Sequence, residues 1–93
     1  MLVVLEFDQA KSARNVADRG IGFDRFADID LRSVVAIADW RYDYGEQRVR
    51  VFGQIDERLH VAVVTMRGEH VRVISLRRAN AREERWYEEE VLR

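Results

Sequence analysis

From Gln47 onward the apolar residues fall into a period of two, and this change of rhythm limits the fold more than any other feature of the chain. Val49, Val51 and Ile55 alternate with Arg48, Arg50 and Gln54, the pattern of a strand buried on one face. Gly53 interrupts it and marks a bulge or a close approach of backbone. Asp56–Arg58 reads as a tight turn. Leu59–Met66 is almost continuously apolar, as a central strand should be. Arg67–Gly68–Glu69 is another turn, and His70–Leu76 the last strand.

The first half is less regular. Leu2–Phe7 is a β-branched and aromatic run, hence a strand. Asp8 suits the cap of a helix from Gln9 to Arg19, and Gly20 suits the position after its end. Ala10, Ala13, Val16 and Ala17 form a stripe of small residues at helical spacing. Phe23, Phe26, Ala27 and Ile29 mark a short second helix, and Leu31–Ala38 another strand. Asp39–Glu46 is a loop or hairpin tip carrying Trp40, Tyr42 and Tyr44, aromatic residues suited to base stacking or to a protein partner. At the far end Asn80 and Glu83 have the spacing of a capping box, which starts a helix near Ala81. Only Trp86, Tyr87, Val91 and Leu92 give that helix an apolar side. The order is strand, helix, helix, four-strand meander, helix. It predicts one small α+β domain over residues 1–93, an antiparallel sheet with its helices on one face. The other face stays partly open and presents Arg48, Arg50 and Arg72, provided no register slip intervenes.

Composition excludes several classes. The chain has no cysteine, so it can form neither a disulfide framework nor a thiolate metal site. No metal or cofactor is expected. No apolar run approaches the ~20 residues that span a bilayer. Leu2–Leu5 is short and soon followed by Glu6 and Asp8, unlike a signal peptide. The expectation is a cytoplasmic protein with no membrane contact.

Net charge is −1, yet the charge is uneven. Residues 48–82 hold eight arginines against Asp56, Glu57 and Glu69. A local basic field on a near-neutral chain suits an anion bound at one place. Arginine supplies 15 of the 16 basic residues, the exception being Lys11. The densest stretch runs Arg72–Val73–Ile74–Ser75–Leu76–Arg77–Arg78–Ala79–Asn80, at the corner between strand and helix. Each guanidinium stays charged and offers a planar fork to phosphate oxygens. The plain alternative is a solvated corner, with Arg48 and Arg72 paired across strands to Glu46 or Glu69.

These residues resemble a family. Phe7–Asp8, Lys11, Asn15, Gly20–Ile21–Gly22 and Phe23 are similar to the start of BrnT toxins, from bacterial BrnT–BrnA toxin–antitoxin pairs. Gly45–Glu46–Gln47–Arg48 with Gly53 matches the family's middle. Arg72–Val73–Ile74–Ser75–Leu76–Arg77–Arg78–Ala79, then Arg82, Glu83, Arg85 and Tyr87–Glu88, matches its end and is the most specific block. Arg19 and Tyr42 stand where relatives often carry histidine. The resemblance implies a RelE-like fold and a type II toxin. Such a toxin is an endoribonuclease that needs no metal, cleaves RNA and stops translation and growth. It further implies neutralisation by a cognate BrnA-like antitoxin that contacts operon DNA, and a homodimer or a toxin–antitoxin hetero-oligomer. The alternative reading is a relative that kept the fold as a protein-binding module without the reaction.

RNA cleavage by the 2′-hydroxyl requires alignment, removal of a proton, neutralisation of the phosphorane and protonation of the 5′ oxygen. The candidate catalytic residues are Arg48, Arg72, Arg77 and Tyr87, and the candidate RNA or phosphate ligands are Arg50, Arg78 and Lys11. Tyr42, Tyr87 and Lys11 are candidates for proton transfer. His60 lies inside an apolar strand and reads as packed. His70 follows a turn and reads as exposed. Asn15 reads as structural.

Overall fold

The computed structural model describes residues 4–40 and 45–92, so Tyr42 and Tyr44 lie outside the described residues. At its centre is a five-stranded sheet of order β1-β5-β4-β3-β2. The strands are β1 Val4–Glu6, β2 Val35–Ala38, β3 Arg48–Ile55, β4 Arg58–Arg67 and β5 His70–Arg78. The helices are α1, Gln9–Arg19, and α2, Ala81–Glu90. From β2 to β5 each strand pairs antiparallel with the next, which is the meander that the alternation and the turns predict. Asp56 and Glu57 make the β3–β4 turn with φ of 51° and 64°, the doubly left-handed geometry that matches strand twist.

The sheet is nonetheless mixed, not antiparallel throughout. β1 pairs with β5 in parallel, Val4 beside His70 and Glu6 beside Arg72. No hairpin joins β1 to a neighbour. The chain leaves it through α1 and returns to its side only at β5, whose bare outer edge needs hydrogen-bond partners. Nothing within residues 4–6 encodes that direction.

The helices also lie on both faces, against the expectation of one. A first core joins Phe23, Val51, Ile55, Ala62, Val64, Val73 and Leu76. A second joins Phe52, Leu59, Val61 and Tyr87, with Val35 and Trp86 packed against it. Val51 and Phe52 are consecutive in a strand, so the two cores are on opposite sides. Phe52 is the cause. It stands in phase with Arg48 and Arg50 and makes one end of the arginine face apolar. α2 covers that end, its Trp86 ring 4.9 Å from that of Phe52. Burying Phe52 alone stabilises by roughly 1.5–3 kcal/mol.

Both caps form as the sequence predicts. Asp8 accepts from the Lys11 amide at 3.0 Å, and Asn80 and Glu83 form the reciprocal capping box. Asn15 donates to the carbonyls of Ile21 and Leu76, each at 2.8 Å, and so ties α1 to the edge of β5. The second helix is a 3₁₀ run, Phe23–Asp28, and another 3₁₀ turn, Leu31–Ser33, occupies the start of the strand predicted from Leu31. Asp30 caps that turn through the Arg32 amide, which delays the strand. Gly53 serves a close approach: a Cβ there would collide with Ile29 Cδ1.

Candidate functional site

Arg72 and Arg77 are five residues apart, and an unbroken strand would point them to opposite faces. The pairing of β4 with β5 shifts between Val63 and Val64: Val63 pairs with Ser75 but Val64 with Val73. Ile74 is the extra residue of a bulge, and the bulge turns Arg77 to the face of Arg72. Thr65 pairs with both Arg48 and Arg72, Val63 pairs with Arg50, and Val61 pairs with both Phe52 and Arg77. Arg48, Arg50, Arg72 and Arg77 therefore share one face. Arg67, opposite His70 in the same phase, extends it.

The other three candidates are elsewhere. Arg78 follows Arg77 and so faces the opposite side. Lys11 is exposed on α1, near Phe23 and Ile74 in the layer of the first core. Tyr87 is 3% exposed, and its hydroxyl donates to the Ser33 carbonyl at 2.5 Å. By that contact the hydroxyl holds α2 to the turn before β2.

Glutamates hold the arginines of the face in place. Arg77 makes a two-pronged contact with Glu83, at 2.8 and 2.9 Å. That contact, with the Asn80 amide in support, keeps the Glu83 carboxyl below its ordinary range. Glu46 lies 3.5 Å from Arg48 and 3.6 Å from Arg67, and Glu6 lies 3.9 Å from Arg72. Pairs this long and this exposed contribute at most about 1 kcal/mol. They position the guanidiniums and yield easily to a better anion. Arg50 stacks 5.8 Å over the Phe52 ring, and its buried Nε makes no hydrogen bond among the described residues.

One pair escaped the sequence reading. His70 Nδ1 is 3.0 Å from Glu6 Oε2, on the same face as Arg72. The parallel β1–β5 pairing brings them together across 64 positions, and no local pattern signals it. A carboxylate on one ring nitrogen orients the imidazole and leaves Nε2 for chemistry. A second feature was legible in part. A cleft of about 350 Å³ runs beside Arg50, lined by Ile37, Phe52, Arg82, Glu83 and Trp86. The phase of Phe52, in step with Arg48 and Arg50, is the sequence signal that could have found it. Trp40, expected in a contact surface, is 77% exposed at the end of β2. Among the described residues no three His, Cys, Asp or Glu side chains gather to hold a metal, and no helix is long and apolar enough to cross a membrane.

No curated protein matches the chain. A family described as the ribonuclease toxin BrnT of type II toxin–antitoxin systems matches residues 7–83, from the cap of α1 through the whole arginine face to the Glu83 that holds Arg77. A toxin of this type has an antitoxin for a partner. Over most of its length, then, the chain carries the pattern of these toxins, and it belongs to the BrnT family of ribonuclease toxins.

Proposed function

We propose that the chain is a metal-independent endoribonuclease whose scissile phosphate lies over Thr65, between Arg48 and Arg72. The observation that carries this reading is the register: both arginines flank the buried Thr65 on one face, about 10 Å apart in backbone. A phosphate between them meets two guanidinium forks, with Arg50 beside them. The 2′-hydroxyl attacks the adjacent phosphorus and the guanidiniums neutralise the charge that grows on the phosphorane. His70, oriented by Glu6, takes the 2′ proton. The leaving 5′ oxygen is protonated from solvent, which reaches the face at Arg67 and His70. The products are a 2′,3′-cyclic phosphate and a 5′-hydroxyl. The cleft of Phe52 and Trp86 accepts a neighbouring base by stacking. Arg77, neutralised by Glu83, supports the face from under α2. Such an enzyme works in the cytoplasm, where its RNA substrate is.

The same face is what a BrnA-like antitoxin would cover, and operon DNA would be reached only through that antitoxin. The family match favours the ribonuclease over a binding-only relative. Purified protein incubated with RNA in excess chelator tests the reading. Cleavage should persist, leave cyclic phosphate ends, and fall by roughly 10²–10³ in Arg48→Gln and Arg72→Gln and roughly 10²–10⁴ in His70→Gln. Cleavage abolished by chelator, or undiminished in both arginine variants, would sink it.

A further inference from the structure

On the side of the sheet away from the arginine face, a cleft of about 250 Å³ opens between the end of α1 and the β3–β4 turn. Arg19, Arg25, Asp56, Arg58, His60 and Arg78 line it. Arg25 is fully engaged, with Asp28 at 2.8 Å and Asp56 at 2.7 Å, and forms a fixed wall. Arg19, Arg58 and Arg78 differ from Arg48, Arg72 and Arg77, which glutamates hold. None of the three has an ion pair or a side-chain hydrogen bond among the described residues. Three arginines that no described carboxylate holds line one small cleft.

A fourth group points to a ligand independently. His60 is only 6% exposed. Its Nδ1 lies 2.7 Å from the Arg58 carbonyl. A carbonyl can only accept, so Nδ1 carries the hydrogen and Nε2 is left without a partner among the described residues. Among the described residues Nε2 is not one of the buried polar atoms without a partner, so it reaches solvent and is free to meet a ligand. His60 pairs with Gly53 and with Arg78, which places the imidazole beside the Arg78 guanidinium on this face.

We propose that this cleft is a second phosphate-binding site, in which Arg19, Arg58 and Arg78 grip the oxygens of one phosphate group and His60 Nε2 completes the shell. Guanidinium forks suit phosphate oxygens. Nε2 accepts the hydrogen of a monohydrogen phosphate or, as imidazolium, donates to it. The carboxyl end of α1 opposes an anion nearby, and Arg19, at its last position, offsets that field. The phosphate has two sources of the same chemistry: the backbone or end of an RNA strand, or a small free phosphate compound. Arg77 and Arg78 are consecutive and face opposite sides, so a strand passing over the end of β5 leads from the arginine face to this cleft.

Inorganic phosphate is the probe, so the test does not depend on the ribonuclease reading. Titration into the whole protein, followed by nitrogen-15 NMR of the His60 ring and the arginine Nε groups, should give a saturable shift at His60. Arg58→Gln and Arg78→Gln, both at exposed positions, should each weaken it roughly tenfold at unchanged thermal stability. Arg72→Gln, on the other face, should leave it as it is. Displacement of phosphate by an uncleavable 2′-O-methyl RNA assigns the site to the RNA chain, and failure to displace assigns it to a small phosphate; the site stands in both cases. No saturable change at His60, or full affinity in both Arg58→Gln and Arg78→Gln, overturns the proposal.

Discussion

Replacing Tyr87 by phenylalanine removes one oxygen and separates a structural tyrosine from a catalytic one. The ring is buried against Phe52, Leu59 and Val61, and the substitution leaves that packing in place. What disappears is the hydroxyl's bond to the Ser33 carbonyl at 2.5 Å. Ser33 is itself a junction: its hydroxyl donates to the Asp30 carbonyl at 2.6 Å and accepts from the Gln54 amide at 2.8 Å. The Tyr87 bond therefore links α2 to the 3₁₀ turn and to β3. Losing a net hydrogen bond costs about 0.5–1.5 kcal/mol, and stranding a buried acceptor about 1–3. Ser33 is half-buried, so water partly replaces the lost donor, and a cost of about 1–2 kcal/mol is expected. For a chain of this size that lowers Tm by roughly 5–12 °C. Urea unfolding with matched slopes gives the stability, and RNA cleavage per folded molecule, measured well below the new Tm, gives the activity. The expected result is a stability loss of that size with cleavage within about twofold of the parent. Unchanged stability with cleavage down a hundredfold or more would refute the structural assignment and return Tyr87 to the chemistry.

Glu83→Gln should cost about 1 kcal/mol at neutral pH, since the contact with Arg77 is charge-assisted but partly exposed. Because the Glu83 carboxyl is held below its usual 4.5, its contribution is complete above that value and is lost as pH falls through the lowered one. Urea stability of parent and variant should therefore converge in acid; a constant gap would show that the charge pair is not the cause. Gly53→Ala forces a methyl group onto Ile29 and should destabilise by about 1–3 kcal/mol, read by thermal unfolding. Asn15→Ala strands the Ile21 and Leu76 carbonyls and should lose about 2–3 kcal/mol with cleavage per folded molecule unchanged. Raising salt from about 50 to 200 mM should weaken RNA binding steeply, and Arg72→Gln should reduce the salt slope by roughly one contact.

Periodicity, turns and caps are local, and wherever a feature is local the sequence determines it. The alternation after Gln47 settles β3, the turns at Asp56–Arg58 and Arg67–Glu69 settle the antiparallel pairing, and Asn80 with Glu83 starts α2. The same alternation puts Arg48 and Arg50 on one face, and the pattern around Arg72–Ala79 is enough to recognise a BrnT toxin. Three other matters depend on contacts between distant segments, and only the tertiary structure decided them. The parallel seat of β1 depends on the free edge of β5, and it alone brings Glu6 to His70. The side on which α2 lies depends on Phe52 and Val61 meeting across two strands, and that removes Tyr87 from the surface. The face of Arg77 depends on a single bulged residue, Ile74, because in a strand one extra position reverses every side chain beyond it; the bulge thereby decides that Arg77, and not Arg78, joins Arg72.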